Sequence, residues 1–410
     1  MKKSLFILLP LFAVRLSAVA ATNELESLTL EQALDLAERQ HPQLAEARAL
    51  VEAAAGRAEQ AGALPNPELI VGAQQLPLEN DAAKQREYLA GVAQPVPLGG
   101  RLGKARAAEL LEREVRARGL EVTRRQLRQR VHSAFATALY QEGAFQAQNR
   151  ITRSFEQAAG TTKARVEAGD AVPEDLARVE MELARARVEL LRSKTMSAQS
   201  LVALATAMGD GRWRVKSVAG SLDTAFELPT LELVVANLSA QPESQLADAN
   251  RRARNARIEL AKAERIPDVK VEALYRRLES TRENTFDLGL SIPLPLFNRN
   301  HGRLREARAE AEAAAARARL TQDELSLRLH TAHADLTTAL ANSRTMKTEI
   351  LPRADTVLKS SEARYQAGDI ALAEVLVVRR DWALVQLAWL ESLRDVMQAW
   401  AELRRFAKPE

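Results

Sequence analysis

Few residues in this 410-residue chain are suited to chemistry. His330 and His333 stand three apart, so on a helix both imidazoles share one side and could hold one metal ion. Beyond Asp335, no carboxylate or third histidine stands at a helical spacing from them, and isolated histidines are common on polar helix faces. The expectation is no metal site, with His330 and His333 as the pair to inspect. His41, His132 and His301 show no ligand spacing. The chain has no cysteine, which removes disulfides, thiolate metal sites and a cysteine nucleophile together. No Gly-rich phosphate loop, nucleophile elbow or His-Glu-x-x-His occurs. Paired acids are abundant, but Ala/Arg/Glu-rich helices produce them by composition alone. Aromatic residues make up only 4% of the chain, against both base-stacking platforms and an enclosed ligand pocket. The chain is therefore expected not to be an enzyme, to need no cofactor and to bind no nucleic acid.

The N-terminus reads as an export signal over residues 1–21. Lys2 and Lys3 precede an apolar run from Leu5 to Val14, and Ala18-Val19-Ala20 supplies small residues for cleavage. A run of about ten residues is too short to span a bilayer as a helix. The mature chain is expected to begin near Ala21 or Thr22, outside the cytoplasm of a bacterium, and without a cysteine it carries no lipoprotein anchor. Losing Lys2, Lys3 and Arg15 with the signal lowers the formal charge from +4 to about +1, so the basic balance is no argument for nucleic acid. No later stretch approaches 18 consecutive apolar residues, which leaves a β-barrel as the route into a membrane.

Positioning elements come from an internal duplication. Pro42, Ala47, Ala53, Glu59 and Pro67 match Pro242, Ala247, Ala253, Glu259 and Pro267 at an offset of 200. Val96-Pro97-Leu98 matches Leu294-Pro295-Leu296, and Arg165 to Asp170 matches Arg364 to Asp369. The chain therefore divides into a first structural repeat, 22–227, and a second, 228–410. Each reads as a helix pair, two strands, a long helix, a tight turn and a returning helix. Thr29 with Gln32 forms a capping-box pattern, and His41-Pro42 breaks the first helix from the second.

Between the helices the apolar period changes from about 3.6 to 2. Strands are predicted at about 67–76, 86–96, 267–277 and 284–294. Phe286, Leu288, Leu290 and Ile292 line one face of the last, a pattern that fits lipid contact. Each strand is long enough to cross the hydrocarbon layer at a tilt. No proline interrupts the stretch from Leu102 to Glu167, in which Leu127, Val131, Ala134 and Ala138 form a coiled-coil seam. Leu325, Leu329, Ala332, Leu336 and Ala339 repeat it. The returning helices start after Gly169-Asp170 and Gly368-Asp369, where glycine allows the bend and aspartate can cap the next helix.

Four strands cannot close a barrel, and open strand edges cannot sit in lipid, so transmembrane strands require several copies. Three copies bring twelve strands and twelve helical elements around one axis, although composition and spacing do not fix three.

With Tyr365-x-x-Gly368 and Glu374-Val375-Leu376, the duplicated pattern resembles the TolC family of outer-membrane efflux proteins over essentially the whole mature chain. Pro295-Leu296-Phe297-Asn298-Arg299-Asn300 followed by Gly302, together with Gln94 to Arg101, resembles its CzcC-like, heavy-metal-efflux branch. The resemblance implies a mainly α fold with a small β part. It would be a homotrimer whose twelve-stranded outer-membrane barrel, four strands per chain, continues as a long periplasmic α-helical barrel. It also implies a passive duct for solutes, divalent heavy-metal cations among them, in the outer membrane of a Gram-negative bacterium and extending into the periplasm. On the same resemblance, its partners would be a periplasmic adaptor, a proton-driven RND-type inner-membrane transporter and outer-membrane lipid. The turns at Gly169, Asp170, Gly368 and Asp369 would be the tip where the adaptor docks. Glu374, its counterpart Asp175, and Tyr365 would stand at the entrance, where three copies turn each acid into a ring that attracts cations. Both acids equally suit the first turn of a helix. Ile370 stands where relatives carry a basic residue. The alternatives are a multidrug or type I secretion duct of the same fold, or a soluble periplasmic coiled-coil adaptor. An adaptor would have one helical hairpin between β-rich domains, not two hairpins and four strands.

Overall fold

The computed structural model describes residues 24–76 and 86–406; the export signal lies outside the described residues. A short strand β1 (Glu24–Leu25) leads into α1 (Leu30–Gln40) and α2 (Pro42–Gly62). Thr29 and Gln32 form the reciprocal capping box, with Gln32 N–H donating to Thr29 Oγ1 at 3.3 Å and Thr29 N–H to Gln32 Oε1 at 3.0 Å. His41 is the N-cap of α2: its Nδ1 accepts from Gln43 N–H at 3.1 Å, and Pro42 occupies the first helical position. Of the three histidines without ligand spacing, His41 is thus a capping residue.

The strands β2 (Glu68–Gln74) and β3 (Glu87–Val96) precede α3 (Arg101–Glu167), whose 67 residues reach roughly 100 Å. The chain returns through α4 (Pro173–Ala207) and a short β4 (Arg214–Val215). The later part runs α5 (Leu231–Ala236), a 3-10 turn (Leu238–Ala240), α6 (Pro242–Ala263), β5 (Val269–Leu278), β6 (Glu283–Ser291) and α7 (His301–Thr345). A π-helical turn (Met346–Ile350) joins α7 to α8 (Leu351–Gln366), and α9 (Leu372–Arg404) returns.

Three features depart from the sequence reading. The fourth long strand stops at Ser291, short of 294, because Pro293 and Pro295 have no N–H to offer a ladder. The second long helix is interrupted by the π turn, with Pro352 just beyond it. An unforeseen parallel pair, β1 with β4, binds the start of the chain to the segment after α4. Two-residue strands carry too little periodicity to be seen in sequence.

All neighbours in the four-stranded sheet β2-β3-β5-β6 are antiparallel. Register puts Leu69 beside Val92, Ala90 beside Tyr275, and Tyr275 beside Phe286, so one face is continuous across all four strands. The helical core lies where α1, the middle of α3, the end of α4 and α9 meet. There Leu127, Val131, Phe135, Leu204, Met208 and Leu393 are buried together. Leu325, Leu329, Ala332 and Leu336 form a second core against Val396, Leu403 and Phe406. Burial of each such leucine is worth about 1.5–3 kcal/mol, so the two seams hold the hairpins in place.

Candidate functional site

Two surfaces are candidates for function: the apolar face of the sheet and the turns at the far end of the hairpins. On the sheet, Leu69, Val71, Tyr88, Val92, Val271, Tyr275, Phe286, Leu288 and Leu290 are all exposed and lie on one face. Leu288 is 76% exposed, and no other element among the described residues covers it. Soluble proteins rarely present so continuous an apolar face, and its strand length matches a bilayer crossing. The opposite face is charged. Arg276 pairs with Glu87 at 2.6 Å and Asp287 at 3.0 Å, and Lys270 pairs with Glu68 at 3.0 Å and Glu272 at 3.3 Å. Apolar outside and ion-paired inside is the arrangement of a strand wall between lipid and a wet lumen. No described helix is long and apolar enough to cross a membrane.

At the tips, Gly169 and Gly368 adopt left-handed backbone with φ of 82° and 84°. In the first turn Gly169 N–H donates to Val166 O and Asp170 N–H to Arg165 O, at 3.0 and 2.8 Å. The second repeats this with Gly368 N–H to Tyr365 O and Asp369 N–H to Arg364 O, at 3.0 and 2.9 Å. Both are Schellman caps, which need a residue free to adopt positive φ. The expected capping role of Asp170 and Asp369 is not met. The following helices take Val172 and Ala371 as N-caps, with no side-chain cap bond. Asp170 and Asp369 are instead held by their own N–H groups in the preceding cap, two residues too early to reach the new helix.

Asp175 and Glu374 occupy the same place, the third residue of α4 and of α9. Glu374 is exposed, Asp175 is half-buried, and neither is ion-paired among the described residues. Behind them Leu372, Leu376, Val179 and Leu183 pack with Ile151 and Phe155. This patch locks the second hairpin onto the first. Tyr365 lies at its rim, with the Arg165 guanidinium 5.2 Å from the ring centroid, so the two tips touch through a cation–π contact.

Sequence reasoning missed Arg165 and a brace just above the tip. Arg379 of α9 donates to Glu362 Oε1 from Nε and Nη2 at 3.0 and 2.7 Å, and from Nη1 to Ser154 O at 3.4 Å. It therefore joins α8, α9 and α3. Trp382 Nε1 donates to Asp355 Oδ1 at 2.6 Å alongside. Partners 17 and 225 residues apart leave no periodic signal.

His330 is exposed and His333 half-buried on α7, and no group of three metal-ligating side chains occurs among the described residues. His132 of α3 is half-buried, and its pKa is lowered to about 4 by desolvation and by the charges of Arg404 and Arg128. It is neutral at ordinary pH, as a packing residue should be.

Comparison with known proteins agrees with this geometry. The family model for "Outer membrane efflux protein" matches twice, over residues 33–210 and 233–407. The cobalt-zinc-cadmium resistance protein CzcC of Cupriavidus metallidurans is 27% identical over 91% of this chain and 88% of its own. The nickel and cobalt resistance protein CnrC of the same organism is 28% identical over 70% of this chain and 68% of its own. In fold, the chain is similar to the outer membrane protein VceC of Vibrio cholerae, with a TM-score of 0.76, 18% identity and coverage of 92% and 95% of the two chains. This chain belongs to the outer membrane efflux protein family.

Proposed function

We propose that the chain is the outer-membrane duct of a tripartite pump that exports divalent heavy-metal cations, acting as a homotrimer. The observation that carries this reading is the four-stranded sheet, apolar on one face and open at both edges. Three successive reversals leave β2 and β6 running in opposite directions. The β6 edge of one copy therefore meets the β2 edge of the next as an antiparallel neighbour. Three copies would close twelve strands with no edge left in lipid. The hairpins continue the lumen below the membrane, and nothing in such a wall performs chemistry.

Residence in the outer membrane, with the helices in the periplasm, follows from family membership. We take the cargo from the relatives, two of which are named for resistance to cobalt, zinc, cadmium and nickel. A periplasmic adaptor docking on the Gly169 and Gly368 turns, and a proton-driven RND-type transporter behind it, complete the assembly. Glu374 and Asp175 form the entrance rings, and Tyr365 ties the closed tip. Both acids also favour their helix N-termini, so their weight is read from conductance rather than from stability. Glu374→Gln should reduce the preference of reconstituted channels for cations over anions; an unchanged reversal potential removes Glu374 from the entrance.

The test of cargo is a deletion strain challenged with divalent metals and lipophilic drugs. Metal sensitivity restored by the gene is the expected result. Sensitivity to drugs alone would reassign the duct to multidrug export.

A further inference from the structure

The segment between β6 and α7 is tied to its own copy at its end, where Asn300 Nδ2 donates to Ala261 O at 3.2 Å and Glu264 Oε2 at 3.3 Å, and the residues before it are left open. Phe297 is 100% exposed, flanked by Leu294 and Leu296, also exposed. Arg299 is exposed and forms no ion pair among the described residues. The segment prolongs β6, an open edge of the sheet.

Its counterpart between β3 and α3 shows what such a segment does when a neighbour is present. In sequence, matching Val96-Pro97-Leu98 to Leu294-Pro295-Leu296 sets Gly99 against Phe297 and Arg101 against Arg299, although in the fold Arg101 opens α3 and Arg299 stands before Asn300, the N-cap of α7. Gly99 lies so close to Ile266 that a Cβ there would stand 2.7 Å from its Cδ1. Arg101 Nη2 pairs with Asp268 Oδ2 at 2.7 Å. Thus the β3–α3 linker is clamped onto the approach to β5. Matching Pro67 to Pro267 identifies the equivalent approach as Asn66 to Glu68, leading into β2, the other open edge. Leu64 and Leu69, on either side of it, are exposed. Helices tell the same story. Ala249 and Ala253 of α6 are buried against Val115 of α3, whereas their counterparts Ala49 and Ala53 on α2 face solvent.

We infer that residues 292–300 of one copy form a latch onto residues 64–68 of the next, Phe297 covering Leu64 and Asn66 while Arg299 pairs with Glu68. This rests on the trimeric reading above and names the residues that join its subunits. Glu68 already pairs with Lys270 at 3.0 Å, but a carboxylate has acceptor sites for a second cation. The occupant is a second copy because the clamp is already built once within the chain, between the same pair of linkers. The Pro295 to Asn300 motif thereby acquires a role.

Absence of native cysteine makes the test direct. Phe297→Cys with Asn66→Cys places two thiols at opposite edges of one sheet, so a disulfide between them can only join copies. Mild oxidation of outer membranes should give covalent trimers on non-reducing electrophoresis, whereas Phe297→Cys with Gln60→Cys should not. Arg299→Glu should lower the melting temperature of the detergent-solubilised trimer, and Arg299→Lys should leave it in place. A wild-type trimer in which the first pair links no better than the second overturns the latch and leaves the duct intact. A wild-type protein that stays monomeric in membranes overturns both.

Discussion

Replacing Leu288 by arginine tests the assignment of the two sheet faces. Leu288 is the sixth of nine residues in β6 and lies beside Ala273, near the middle of β5, so its side chain stands close to mid-height of the strand wall. An arginine facing lipid at the midplane costs about 2–4 kcal/mol, falling to about 0–1 near the interfaces. Each copy carries that cost, so a trimer carries it three times. Ile292 is exposed one residue beyond the end of β6, and Thr285, beside Arg276, faces the opposite way. Leu288→Arg should therefore impair folding into lipid vesicles by the midplane amount, while Ile292→Arg and Thr285→Arg each change it by about 1 kcal/mol or less. The assay is urea-dependent unfolding of the vesicle-inserted protein, read by heat-modifiable mobility. Equal effects of Leu288→Arg and Thr285→Arg would show that the faces are misassigned. No effect from any of the three would mean that the sheet does not meet lipid.

Stability should also depend on His132 and on the tip turns. Burial lowers the folded pKa of His132 to about 4 from 6.5, so the unfolded chain binds the proton more readily. The contribution of the neutral ring is complete above pH 6.5 and is lost as pH falls toward 4, up to roughly 3 kcal/mol; His132→Gln should flatten that acid limb in a thermal melt. Gly368 has φ of 84°, so Gly368→Ala should cost about 1–2 kcal/mol, whereas Gly160→Ala, inside α3 with open space around it, should stabilise by about 0.5–1. Equal melting shifts for the two would refute the cap argument. Arg379→Ala removes the brace to Glu362 and Ser154, costing about 1–2 kcal/mol for a partly exposed pair. Its readout is raised basal conductance of reconstituted channels, and conductance at the wild-type level would make the brace irrelevant to closure.

Long-period features were legible in the sequence, and contacts between distant segments were not. The seam at Leu127, Val131 and Ala138 and the alternation at Phe286, Leu288 and Leu290 are written in residue spacing, so helices and strands could be placed to within a few residues. Gly169 and Gly368 marked their turns because positive φ narrows the choice of residue. The aspartates misled, since a residue after a glycine can serve the cap behind it as well as the helix ahead. Arg165 on Tyr365 and Arg379 on Ser154 join segments about 200 residues apart, and one sequence holds no trace of such pairs. Likewise Phe297 has no partner among the described residues of its own chain, so its exposure became meaningful only beside the clamped Gly99.

The π turn resolves a small discrepancy in the proposed duplication. Val96 to Leu294 and Leu127 to Leu325 are both offsets of 198, whereas Gly169 to Gly368 is 199. A continuous helix cannot gain a residue without rotating everything below it by about 100°, which would turn the apolar stripe of the second hairpin away from the first. A single π turn takes up one extra residue locally. Met346–Ile350 lies between the matched seam and the matched tip, where that residue must be absorbed. Above it Leu325, Leu329 and Leu336 keep the seam, and below it Tyr365 and Gly368 meet the tip at the level of Arg165 and Gly169. On this argument, deleting one residue within Met346–Ile350 should leave a regular α-helix. Tip and seam would then be out of phase, and the Arg165–Tyr365 contact would be lost. A deletion variant that closes normally, with wild-type basal conductance, would show that the π turn does not set the phase of the tip.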